Sequence, residues 1–393
     1  MKFPKAINQF LLHMNTPTTK ILSIVILLIF FILFYKWAGQ ISVDEIKSKS
    51  TTTPSTNKDT TLVTKAIESN APAVSSAVSS DTFSPIIYEH ENFGLQNYDK
   101  GDYKGAIIEY SKAIAINPKY SDAYYNRARA KVALKDYKGG IEDDTKALSI
   151  TPNDQDIYYN RGRTKGLLND YQGAIADYNK AIEIKPMFNE AYHNRGVSKA
   201  ALYDYQGAIA DYNKELEIKP NDADAYYNRG KAKAELKDYS GAITDDNKAI
   251  DINPLYDMAY SNRGVVKASL KDYQGAIIDF NRAIKLNTEC VEAYYNRGFC
   301  KVNLQNYQGA MPDYTKALEL SPKLSNAYTS RGFCRAMLQD NRGAIVDFNR
   351  AIDLNPNDAE AYNNRGLCKI QLGQKGSGCL DLNKALALGR TGS

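Results

Sequence analysis

Apolar and polar residues follow a 34-residue rhythm through most of this chain. In residues 155–188, Tyr158, Gly162 and Leu168 stand at helical spacing. Ala174, Ile175, Tyr178, Ala181 and Ile182 then form the one-sided stripe of a second amphipathic helix. Asn169-Asp170 marks the turn between them, and Pro186 ends the second helix because its ring and missing N–H oppose continuation. Small residues, Gly162, Ala174 and Ala181, fall where two helices must approach closely. The pattern predicts a helical hairpin.

The hairpin recurs. Asn-Arg pairs at 126, 160, 194, 228, 262, 296 and 364 keep the register, with Ser330-Arg331 as the variant. Prolines at 118, 152, 186, 220, 254, 322 and 356 keep the same register. Nine windows fit, starting at 87, 121, 155, 189, 223, 257, 291, 325 and 359. A fixed period of this size signals stacked repeats, because one hairpin alone cannot bury its apolar face.

The order tyrosine, glycine, alanine, aromatic, alanine, proline over 34 residues resembles the tetratricopeptide repeat (TPR) family. The resemblance covers residues 87–392 and implies an all-α, right-handed α-solenoid, with first helices lining a concave groove and second helices outside. The chain departs from the family in carrying Arg where an apolar residue is usual, at 127, 161, 195, 229, 263, 297, 331 and 365. Each second helix holds an acid in a fixed place, from Glu109 through Asp143 and Asp177 to Asp381. These charges predict a ladder of Arg–Asp pairs between packed helices. The end windows are irregular: Phe93 replaces Arg in the first, and the last lacks its proline. Leu382 and Leu386 mark the C-terminal edge as a possible homodimer contact.

Upstream the pattern changes. Residues 1–20 form a short basic segment, and Ile21–Tyr35 is an unbroken apolar run flanked by Lys20 and Lys36. Residues 21–39 are expected to be a single transmembrane helix, a signal anchor, with the lysines snorkelling and Trp37 at the headgroup boundary. A cleaved signal peptide is the competing reading, opposed by Lys36 lying where a cut after Ala38 wants a small residue. Each flank holds three lysines, but the N-terminal one has no acid and adds the terminal amine, whereas Asp44 and Glu45 lie on the other. This is a slight bias toward repeats outside the cytoplasm. The anchor with its low-complexity tether resembles bacterial inner-membrane proteins. Residues 40–86 are rich in Ser and Thr and too poor in large apolar groups to offset chain entropy, which predicts a disordered linker.

Charge is balanced, 50 basic against 45 acidic residues, giving no concentrated footprint for nucleic acid. Three His in unrelated places, and five Cys of which Cys300, Cys334 and Cys368 recur every 34 residues as small packing groups, offer no metal-ligand spacing. No phosphate-binding loop appears, and no nucleophile stands beside a base. The expectation is no enzyme, no metal and no cofactor.

Function is expected in the groove. By the resemblance, Asn92, Asn126, Asn160, Asn194, Asn228, Asn262, Asn296 and Asn364 face its inner side. An Asn amide offers a donor and an acceptor, enough to clamp one peptide unit of an extended ligand. Tyr125, Tyr159, Tyr227 and Tyr295 stand beside them as rigid amphipathic contact surfaces. The alternative is that these Asn only bond neighbouring helices. Acids at 122, 156, 190, 224, 292 and 360 form a rim that favours neutral or basic segments over acidic C-terminal tails. The chain therefore reads as a membrane-tethered scaffold capturing extended segments of partner proteins. The alternative is a structural subunit assembled through helix edges.

Overall fold

The computed structural model describes residues 85–390. The apolar run and the linker, apart from Pro85 and Ile86, lie outside the described residues. Within them no helix is long and apolar enough to cross a membrane.

Eighteen helices and no strand occur among the described residues. The first helices of the nine hairpins are α1 (Pro85–Asp99), α3 (Ser121–Ala133), α5 (Gln155–Leu167), α7 (Asn189–Ala201), α9 (Ala223–Glu235), α11 (Asp257–Ser269), α13 (Val291–Asn303), α15 (Ser325–Met337) and α17 (Ala359–Gln371). The second helices are α2 (Tyr103–Ile116), α4 (Tyr137–Ile150), α6 (Tyr171–Ile184), α8 (Tyr205–Ile218), α10 (Tyr239–Ile252), α12 (Tyr273–Leu286), α14 (Tyr307–Leu320), α16 (Asn341–Leu354) and α18 (Lys375–Arg390).

Each helix packs on its hairpin partner, and each second helix packs on the first helix of the next hairpin. Successive first helices also touch one another, forming an inner layer with the second helices outside it. The turns are built alike. Asn169 takes a left-handed φ of 61°, and Asp170 caps α6 by accepting from the Gly173 N–H at 2.9 Å. A side chain at Gly173 would strike that carboxylate.

Packing explains the small residues. A Cβ on Gly162 would lie 2.8 Å from the Tyr178 ring, and Gly264 and Gly332 stand in the same relation to Phe280 and Phe348. Ala174 and Ala181 are fully buried. The second hairpin breaks this rule in a coordinated way: Ala128 replaces the glycine, and Asp144 replaces the facing aromatic.

The expected charge ladder forms. In the fourth hairpin, Arg195 Nε and Nη2 clamp Asp211 at 2.9 and 2.6 Å, and Lys199 Nζ reaches the same carboxylate at 2.9 Å. The guanidinium lies over Tyr192, 5.3 Å from the ring centre. Its remaining arm, Nη1, donates to Asn179 of the preceding hairpin at 2.7 Å. Each Arg thus ties three helices together, and the set recurs from Arg127–Asp143 to Arg365–Asp381. The first hairpin has no Arg here, and Glu109 instead meets His90 at 2.7 Å.

At the last hairpin Leu382 is half-buried and Leu386 is 64% exposed, whereas its counterpart Ile352 is 9% exposed beneath the following first helix.

Candidate binding surface on the first helices

Two contacts run between successive first helices, the first of them between predicted residues. Asn194 Nδ2 on α7 donates to the Tyr159 hydroxyl on α5 at 2.9 Å, from one first helix to the next. The Arg129 guanidinium on α3 lies 4.8 Å from the centre of the Tyr98 ring on α1.

The asparagine row divides. Asn160 is buried, and its Nδ2 donates to Asp144 of the preceding second helix at 2.7 Å. Asn262 bonds Asp246 in the same manner at 2.8 Å. These two, with Asn194, stitch hairpins together. Asn126 is buried and accepts a long 3.4 Å bond from Arg129. Asn364 is buried with its Nδ2 lacking a partner, as does the buried Asn194 Oδ1. Asn228 and Asn296 are only half-buried, and Asn92 is exposed.

The tyrosines divide as well. Tyr159 is fully buried, with its ring against Phe188 at 4.9 Å and Tyr178 at 5.9 Å. Tyr227 is buried against Tyr256 at 5.3 Å. Tyr125 and Tyr295 are half-buried, so each keeps part of its surface for contact. Of the acids, Asp122, Asp224, Glu292 and Glu360 are exposed and Glu190 is half-buried, while Asp156 is buried.

Asp144 and Asp246 carry the main electrostatic strain. Both are completely buried where most other second helices present an aromatic ring. Burial pushes Asp246 up to about 8, against the opposing pull of Asn262 and Arg263, and raises Asp144 well above the usual carboxylate range. In each, Oδ1 has no hydrogen-bond partner. In the fourth hairpin His193 replaces the tyrosine and meets Glu215 at 2.8 Å, both almost fully buried. Burial opposes charge on His193, but the Glu215 carboxylate outweighs it and raises the imidazole.

Sequence reasoning missed a third inner row, three residues after each Asn. It reads Arg129, Arg163, Val197 and Lys231, then Val265, Phe299, Phe333 and Leu367. The i+3 spacing from the asparagines was the available signal. Cys300, Cys334 and Cys368 are free and buried, their thiols pushed up to about 12, 12 and 11, so they remain protonated packing groups at neutral pH.

Family profiles match most of the repeat region. One described as TPR repeat covers 94–135, 167–202, 201–237 and 336–373. Two described as tetratricopeptide repeat cover 291–324, and 121–154, 223–254 and 259–290. No curated protein matches the sequence. Among solved structures, the chain resembles one from the APC/C hetero-tetramer Cut9-Hcn1, with TM-score 0.52 and 18% identity over 68% of this chain. It spans about half, 52%, of that protein's length. It also resembles a tetratricopeptide repeat protein from Parabacteroides merdae, with TM-score 0.52 and 20% identity, covering 64% of this chain and 99% of the other. Both likenesses are of fold.

Proposed function

The chain belongs to the tetratricopeptide repeat family, and from that premise we propose that it is a scaffold holding extended segments of other proteins along its inner layer. The observation that carries this reading is the state of Asn228 and Asn296. Both lie on first helices, are half-buried, and make no side-chain hydrogen bond among the described residues. Their amides keep both donor and acceptor for a peptide unit, and the half-buried Tyr295 adjoins Asn296. Asn160, Asn194 and Asn262 serve the stacking instead and hold the inner rows in register.

The exposed acids Asp122, Asp224, Glu292 and Glu360 favour a neutral or basic segment, since a carboxylate tail would meet like charge. Residues 21–39 tether the scaffold to a membrane, and the Ser/Thr-rich linker sets its reach and raises local concentration near that surface. The repeats stand outside the cytoplasm, a reading supported by the terminal amine and lack of acids before the apolar run against Asp44 and Glu45 after it. A second reading, a subunit assembled through its edges, is favoured by the exposed Leu386 at the C-terminal edge, which would also serve a homodimer.

The test is crosslinked co-purification from solubilised membranes, comparing the native chain with Asn228→Ala/Asn296→Ala and with Leu386→Ser. Helicity should stay unchanged, because neither amide stitches helices and Leu386 is exposed. A partner lost only in the double Asn variant is the expected result. Retention of the same proteins there, with their loss in Leu386→Ser, would replace groove capture by edge assembly.

A further inference from the structure

Beyond the first hairpin, whose Ile108 is itself 56% exposed, the outer layer changes character halfway along the array. At one repeated place on the second helices, the second to fifth hairpins carry Glu142, Ala176, Ala210 and Thr244. From the sixth hairpin onward the same place holds Ile278, Pro312, Val346 and Leu380. Ile278 is 67% exposed, Val346 63% and Leu380 71%, and Pro312 is exposed too. Scattered apolar side chains on a surface are ordinary, but four in register on consecutive hairpins form one continuous row.

Four residues further along each of these helices, on the same helix face, stands a cation: Arg282, Lys316, Arg350 and Lys384. Lys316 is neutralised by Glu319 at 3.1 Å. Arg350 and Lys384 have no acidic partner among the described residues, and Arg282 reaches only the Pro254 carbonyl at 3.5 Å and the Tyr260 ring. In the third and fourth hairpins the equivalent Lys180 and Lys214 are each paired, with Glu183 and Glu217. The apolar row therefore runs beside cations that are largely unneutralised.

At Pro312 the row borders an open depression of about 800 Å³ on α14, lined by Met311, Leu338 and Thr315 with the Lys316–Glu319 pair at its side. Pro312 lies inside α14 and has no N–H, so the Gln308 carbonyl, on the same wall, loses its helical donor. A shallow, open depression with mixed apolar and polar walls, a carbonyl that lacks its helical donor and nearby cations offer apolar contact together with hydrogen-bonding groups, which suits a polypeptide. A second copy of this face would bring the same cations and repel.

We propose that the outer face of the sixth to ninth hairpins is a second protein-binding surface, separate from the inner layer, which takes a segment of another protein combining apolar and acidic side chains. The apolar side chains cover Ile278, Val346 and Leu380 and enter the depression beside Pro312. The carboxylates meet Arg282, Arg350 and Lys384. Because the inner rim is itself acidic, the two faces select segments of opposite charge.

Fluorescence anisotropy on the full-length chain tests this with three labelled synthetic peptides of equal length: alternating Leu-Glu, alternating Leu-Lys and alternating Ser-Glu. The Leu-Glu peptide is expected to bind best. Its affinity should fall about tenfold or more in Ile278→Ser/Val346→Ser and in Arg350→Ser/Lys384→Ser, all surface changes that leave the core intact. It should be unchanged in Lys146→Ser/Lys248→Ser, which removes equal charge from hairpins without the apolar row. Equal binding of all three peptides, or equal loss in the control variant, would overturn the proposal. So would displacement of the peptide by phosphatidylglycerol vesicles but not phosphatidylcholine vesicles, which would assign the face to lipid. A change of mass by light scattering in the serine variants would make it a self-contact and equally defeat the proposal.

Discussion

At the scale of single residues, Asp246 shows how one substitution reorganises its surroundings. A carboxyl group stands where Phe280 or Tyr314 fills the equivalent space, and Asn262 supplies its one hydrogen bond. With a folded pKa of about 8 and an unfolded value near 3.9, the folded chain holds the extra proton between those limits. Stability from this group is complete below about pH 4 and is lost as pH rises through 8. Asp246→Asn keeps the shape without the charge, so at pH 5, little above the unfolded pKa, it should gain only about 1–2 kcal/mol. At pH 9 it should be more stable than the native chain, by an amount bounded by the shift at about 6 kcal/mol. Chemical denaturation midpoints at the two values check this; a difference that does not grow with pH would mean that the carboxyl group is hydrated. The Arg–Asp pairs were legible in the sequence because both members recur at fixed spacing. The Asn–Asp stitch was not, since Asp144 and Asp246 interrupt a pattern and look like noise until the facing Asn160 and Asn262 are seen. For the same reason the asparagine row looked uniform, although only some rungs are left open.

At the scale of elements, the unit of stability is the junction between hairpins, where a first helix wedges between its own partner and the preceding second helix. The Arg in each wedge closes both sides at once, and its plane is held by the tyrosine three residues earlier. Burying these charges adds little net stability, but it penalises any stacking out of register. The fourth hairpin adds a second ion pair, His193–Glu215, where the second hairpin has Tyr125 and Ala147 with an aspartate at the same following site. Glu215→Ala removes the carboxylate that outweighs burial, so the imidazole is left neutral and buried without its Nδ1 partner, which should cost about 1–3 kcal/mol. His193→Tyr/Glu215→Ala restores the combination of the second hairpin and should cost much less, or even stabilise. Denaturant unfolding of both variants checks the order. A double variant as weak as the single one would show that the pair supplies more than mutual neutralisation.

At the scale of the whole molecule, stability is close to a sum of hairpin terms and nearest-neighbour junctions. A hairpin covered on both sides gains two junctions. The ninth has a covered side against α16 and an outward side where Leu386 is 64% exposed. Its second helix also begins with glycines at 376 and 378, each of which lowers helix propensity. Amides of α18 should therefore exchange fastest among the second helices, while those of α6, α8 and α10 exchange only when the array opens. The two glycines separate propensity from packing. A Cβ on Gly376 meets open space, whereas one on Gly378 would lie 2.7 Å from the Gly366 carbonyl and 2.6 Å from Ile370. Gly376→Ala should raise the local stability of α18 by about 0.5–1 kcal/mol. Gly378→Ala should force α17 and α18 apart and speed exchange in both. If the coupling between hairpins is as local as the contacts imply, neither change should alter exchange in the first five hairpins. An effect reaching α2 or α4 would mean that the array opens as one body, with the Arg wedges passing strain along its full length.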